Sequence, residues 1–240
     1  MPALRTVHLA PHYSGPEHRL LAESLPERAA ASEQVVYRGR NVLVRLDWVG
    51  EQVVVKCFPK PRGAIKARKA FTHALKLHEL GLGTPAAYAA VESADGAGWF
   101  ACAWIAGCRA VWDLHDRIIP DSDRHCRALG AFVGRMHEAG VHHRDLTPGN
   151  ILLAPQGEDF EHLIVDHNRM GFGPIGALRG VAALVKLECQ GRTLPGYCEA
   201  RGLAYGPALM SFRGVWCWHR ILWAVKNSTR PLRRWLRSRR

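Results

Sequence analysis

Between His142 and Leu153 the chain reads H-H-R-D-L-T-P-G-N-I-L-L, the stretch that most narrows what it can fold into. Pro148 and Gly149 interrupt any regular element across it. Asp145 and Asn150 therefore share one polar loop, which runs into the apolar residues Ile151, Leu152 and Leu153. Sixteen positions beyond Asn150 a second apolar run, Leu163-Ile164-Val165, ends on Asp166. A lone aspartate at a strand end is usually a turn cap, and only its spacing from Asn150 makes Asp166 a candidate ligand. Together the two supply hard oxygen donors, a set suited to Mg²⁺, which keeps few protein ligands and fills its shell with phosphate and water.

The elements upstream are short strands. Val42, Val44 and Leu46 alternate with Leu43 and Arg45, a turn follows near Val49 to Gln52, and Val53 to Phe58 reads as the returning strand. Pro59, Pro61 and Gly63 break that strand, and Ala67, Ala70, Phe71, Ala74 and Leu75 recur at helical spacing until Gly81 and Gly83. Two further strands are expected within residues 86–105. After Gly107 the pattern turns helical, with the stripe Leu129, Phe132, Val133 and Met136 ended by Gly140. The expectation is an α+β, two-lobed fold: an extension at 1–33, loosely packed; a small lobe at 34–106 with an antiparallel sheet and one helix; and a mainly helical lobe at 107–240 with a basic tail at 230–240.

His143, Arg144, Asp145, Leu146 and Asn150 match the kinase catalytic loop H-R-D-L-x-x-x-N. Chance agreement at five fixed positions has odds on the order of one in ten thousand. The spacing has a mechanism: Asp145 accepts the proton of the acceptor hydroxyl, and Asn150 turns back toward a metal on the ATP phosphates. Val53-Val54-Val55-Lys56 resembles the V-A-I-K strand whose lysine reaches the α- and β-phosphates. Gly39 stands in the turn Tyr37-Arg38-Gly39-Arg40-Asn41, where a Gly-rich loop covers the phosphates, with one glycine in place of three.

From Asp166 the chain continues D-H-N-R-M-G-F. With the catalytic loop, this string resembles the lipopolysaccharide kinase family of Kdo kinases and core heptose kinases, where D-x-N-R-M commonly replaces D-F-G. The resemblance runs over roughly residues 34–205. It implies a protein-kinase-like fold, ATP and Mg²⁺ as cofactors and an inner-core sugar of a membrane glycolipid as acceptor. It assigns Asp145 as base, Asn150 and Asp166 as metal ligands and Lys56 as phosphate ligand, with Ala103, Trp104, Ile105 and Ala106 as the hinge that holds adenine. Arg169 either binds an anionic group of the acceptor or stabilises the loop by a salt bridge.

Two departures stand out. Kinases pair the strand lysine with a helix glutamate, whereas Lys66-Ala67-Arg68-Lys69-Ala70 holds no carboxylate, and Glu79 is the first acid in that helix. No A-P-E motif follows Asp166, which lowers the odds of a protein substrate. A kinase for another small molecule or a protein, and a silent adaptor with a kinase fold, are the competing readings.

The formal net charge of +12 draws anions of any kind. Residues 211–240 carry nine Lys or Arg and no Asp or Glu, interleaved with Trp216, Trp218, Trp223 and Trp235. Residues 212–225 are expected to be the last core helix, and 230–240 a contact with anionic lipid. No reading motif for nucleic acid accompanies the arginines. Seven cysteines without a C-x-x-C pair argue against a disulfide framework or a zinc site. No run has the length of a membrane span, so the expected location is cytoplasmic, peripheral on the inner membrane.

Overall fold

The computed structural model describes residues 4–228, with side chains described for 6–222 and 224. They form two compact units. The first joins the described residues up to Arg109 with Asn150–Gly171, and the second joins Ala110–Gly149 with the described residues from Phe172 onward.

The first unit is built on six strands, β1 (Leu4–Leu9), β2 (Val35–Arg38), β3 (Val42–Trp48), β4 (Glu51–Phe58), β5 (Ala87–Ser93) and β6 (Gly98–Ala103). They lie in the order β1-β5-β6-β4-β3-β2, every neighbouring pair antiparallel. Val49 and Gly50 join β3 to β4 with φ of 48° and 80°, the left-handed pair that a two-residue hairpin turn requires.

Alternation along β4 sends Val53 and Val55 to one face and Val54, Lys56 and Phe58 to the other. On the first face Val53 and Val55 pack with Val44, Trp48 and Tyr88. Helices α1 (Pro16–Glu23) and α2 (Leu25–Ala31) close this layer through Ala22, Leu25 and Ala29. On the second face Phe58 and Phe100 pack beneath α3 (Gly63–Glu79), whose Ala67, Ala70, Phe71 and Ala74 recur at helical spacing.

The N-terminal segment is thus no loose extension. Its strand occupies a sheet edge and its helices bury Leu25 completely. Small alanines do the packing there, and they leave little hydrophobic periodicity to read.

The second unit contains α4 (Val111–His115), α5 (Ser122–Glu138), α6 (Ala177–Leu184), α7 (Leu194–Arg201) and α8 (Tyr205–Ser228). Helices α5 and α7 approach closely because Gly130 and Gly196 lack side chains: a Cβ there would collide with the carbonyl oxygens of Thr193 and Arg127. His137 of α5 and the Tyr197 hydroxyl of α7 meet at 3.0 Å.

Helix α8 departs from the expected core helix. Ala208 and Phe212 are buried, but Met210, Trp218, Ile221 and Leu222 are 77%, 61%, 54% and 49% exposed. The basic stretch 230–240 lies outside the described residues. Among those described, no helix is long and apolar enough to cross a membrane.

Candidate active site

Lys56 projects from β4 on the α3 side of the sheet, with its ammonium 5.3 Å from the centre of the Phe58 ring. Its ionic partner is the Asp166 carboxylate, with which it forms a hydrogen-bonded ion pair. Both side chains are 18% exposed, so the pair is largely shielded from water. The partner carboxylate missing from residues 66–70 of α3 has its counterpart in the loop after the apolar run. Glu79 is exposed at the end of α3.

Strand register places the other nucleotide candidates about Lys56. Lys56 pairs with Leu43 and Phe100. Toward one end of β4, Cys57 pairs with Val42, just after the turn that carries Gly39. Toward the other end, Val53 pairs with Ala103. The proposed hinge thus begins three strand residues from Lys56, about 10 Å along the sheet. Backbone bonds fix that start: Ala103 donates to the Ala86 carbonyl at 2.8 Å and Trp104 to the Gln52 carbonyl at 2.9 Å. Ile105 is half-buried, Ala106 is exposed, and Arg45 lies 5.5 Å from the Trp104 ring.

Asn150 and Asp166 are drawn together by a hairpin. Ile151–Gln156 and Asp159–Ile164 pair in register from Gln156 with Asp159 to Ile151 with Ile164. The chain reverses at Gly157, whose φ is 62°. One step past the last pair, Val165 donates to the Asn150 carbonyl at 3.0 Å. Asp166 follows in the left-handed region, φ 61° and ψ 45°, which aspartate tolerates better than most residues. Sixteen residues of sequence separation are the length of one hairpin.

An amide oxygen and a carboxylate at one hairpin end fit Mg²⁺, whose remaining ligands come from phosphate and water. Among the described residues no cluster of three or more His, Cys, Asp or Glu could hold a metal. Arg169 Nε stands 3.9 Å from Asp166 Oδ2, and its side chain is 44% exposed. That contact is the loop salt bridge, and the exposure leaves the guanidinium accessible to an anion.

Asp145 belongs to the second unit, in the loop after Val141–His143. Its N–H donates to Nδ1 of the buried His143 at 3.2 Å, and its carbonyl accepts from Thr147 at 2.9 Å. Leu146 is fully buried beside it, and Lys186 donates to the Arg144 carbonyl at 3.2 Å. An anchored apolar neighbour and a capped backbone hold the half-exposed carboxylate in place.

Three polar residues without an assigned role surround the Asp166 loop. His73 of α3 lies 2.8 Å through Nδ1 from the His167 carbonyl, and His167 Nε2 lies 2.6 Å from Thr84 Oγ1. The sequence holds a trace of them, since His73 falls on the helical face of Ala70 and Ala74, and His167 follows the metal-ligand candidate directly.

The lipopolysaccharide kinase (Kdo/WaaP) family model matches residues 28–172, more than half of this chain. Among solved structures, WaaP in complex with acyl carrier protein superposes with a TM-score of 0.64 at 22% identity, covering 89% of this chain and 96% of that one. An aminoglycoside-3'-phosphotransferase of type VIII gives 0.55 at 14% identity, covering 84% and 98%. Both support the kinase-like fold. The EKC/KEOPS complex subunit BUD32 of Gibberella zeae is 33% identical over 84 residues, so this chain spans 31% of that relative's length.

Proposed function

Because the chain belongs to the lipopolysaccharide kinase (Kdo/WaaP) family, we propose that it transfers the γ-phosphoryl group of ATP to a sugar hydroxyl of the lipopolysaccharide inner core, on Kdo or heptose. The observation that carries this reading is the Lys56–Asp166 ion pair beside a hairpin that delivers Asn150 to the same end, all within the family-matched span.

The residues divide the work. Residues Ala103 to Ala106 hold adenine, and the Gly39 turn and Lys56 orient the phosphates. Asp145 accepts the proton of the attacking sugar hydroxyl as its oxygen bonds to the γ-phosphorus; the bond to the β–γ bridging oxygen breaks and ADP leaves. Asn150 and Asp166 would hold Mg²⁺, which when bound would neutralise the phosphate charge. Arg169 offers a planar pair of donors to a carboxylate or phosphate already on the acceptor.

The acceptor is a membrane glycolipid, and the exposed apolar side chains of α8 suit a peripheral position on an anionic surface. Trp218, Ile221 and Leu222 stand on a helix that carries Arg213 and Arg220 and lies in a stretch without acidic residues. The same residues would also serve a kinase of another small molecule or a protein, or a silent adaptor that keeps the fold for binding. Mass spectrometry of lipid A-core from cells with and without the gene separates these: loss of one core phosphate supports the reading. An unchanged core, with transfer to another small molecule or a protein in an ATP assay, selects the alternative kinase. Mg-ATP binding with no turnover on any acceptor selects the silent adaptor.

A further inference from the structure

Protein kinases join the helix that follows the nucleotide lysine to that lysine through a carboxylate, and α3 has none at the expected position. It is joined to the Asp166 loop by different chemistry. His73 Nδ1 approaches the His167 carbonyl at 2.8 Å, and a carbonyl only accepts, so Nδ1 carries the proton. Thr84 donates its one hydroxyl proton to the Ile164 carbonyl at 3.2 Å. The 2.6 Å contact between Thr84 Oγ1 and His167 Nε2 is then donated by the imidazole. Ile164 also donates its N–H to the Gly83 carbonyl at 2.9 Å.

These bonds grip the loop at Ile164 and at His167, on either side of Asp166. The grip is rigid: His167 is 3% exposed and meets the edge of Phe100 at 5.5 Å between ring centres. It also brackets a residue held at a φ of 61°, a left-handed conformation that even aspartate adopts only occasionally. Every residue named lies in the first unit, and His73 ties the loop to a specific turn of α3.

We infer that His73, His167 and Thr84 are positioning residues that fix the Asp166 carboxylate relative to α3, taking the place of the missing lysine–glutamate connection. The inference rests on the kinase reading of Asp166. It predicts that breaking the chain impairs metal–nucleotide binding more than nucleotide binding.

The test is calorimetric titration of the full chain with Mg-ATP and with ATP in EDTA, alongside thermal melts and kcat and KM. His73→Leu and Thr84→Val should weaken Mg-ATP binding by about 10- to 100-fold, the range for groups that orient metal ligands. Affinity for ATP in EDTA and the melting temperature should stay near wild type. His73→Asn places an amide donor near Nδ1 and Thr84→Ser keeps the hydroxyl, so both should restore most of the affinity. Wild-type Mg-ATP affinity in His73→Leu and Thr84→Val would overturn the inference. So would equal losses with and without Mg²⁺ accompanied by a lowered melting temperature, the mark of a purely structural role. A wild-type chain that neither binds Mg-ATP nor transfers phosphate would overturn the kinase reading itself, and this inference with it.

Discussion

Lys56 and Asp166 stand 110 positions apart and share one ion pair. Each is mostly shielded from water, so removal of either leaves a charge without its main partner. Lys56→Met should weaken nucleotide binding, and Asp166→Asn should weaken Mg-ATP binding, both measurable by calorimetry. Glu79→Gln should do little, because Glu79 is exposed at the far end of α3 and Lys56 is already paired. A large loss in that variant would mean that a helix carboxylate takes part after all. Asp145→Asn removes a base without touching the metal ligands. Its turnover should fall by about 10²- to 10⁴-fold with ATP affinity nearly intact, and unchanged turnover would remove Asp145 from its role.

At the scale of elements, the junction of α5 with α7 has a pH signature. Burial first, and then the Arg201 guanidinium, push His137 down from 6.5 to about 4. The unfolded imidazole takes up a proton near 6.5 and the folded one only near 4. The native state therefore has its full stability above that window and loses it as pH falls through it, by at most about 3 kcal/mol. Urea melts of His137→Phe should show a shallower decline between pH 6.5 and 4 than wild type, and an identical decline would place the acid sensitivity elsewhere. Helix α8 makes a separate prediction. Trp218→Glu with Ile221→Glu should cut co-sedimentation with phosphatidylglycerol vesicles while the melting temperature holds, since both side chains are exposed. Deletion of 230–240 should lower the same binding, most at low salt, because each basic residue near an anionic surface contributes about 1 kcal/mol. Equal binding by all three proteins would exclude a membrane role for this end of the chain.

Over the whole molecule, the charge of +12 and a pI near 9.8 create a field that favours anionic acceptors at low ionic strength. The kcat/KM for acceptor in anionic vesicles should fall with added salt more steeply than for acceptor in neutral detergent. Parallel salt dependences would mean that the field does not steer the encounter.

Much of the candidate site's layout was legible in the chain because its spacing is local. Asp145 and Asn150 lie on one loop, Asn150 and Asp166 are separated by one hairpin's length, and Lys56 follows a run of valines that forms a strand in most contexts. Such short-range patterns survive without knowledge of the fold. The extension expected at 1–33 is packed over its described residues, because a short edge strand and Ala-rich helices carry only a weak period; what makes them core is the sheet they cover. The Trp-rich helix differs from its expected role for the converse reason, since apolar residues announce burial only when another surface meets them, and among the described residues of α8 only Ala208 and Phe212 are buried. The sequence by itself determined the kinase-like plan. Tertiary structure alone decided which carboxylate pairs with Lys56 and how α3 reaches the Asp166 loop, because those partners are 83 to 110 residues apart and only the folded sheet and helix bring them within hydrogen-bond range.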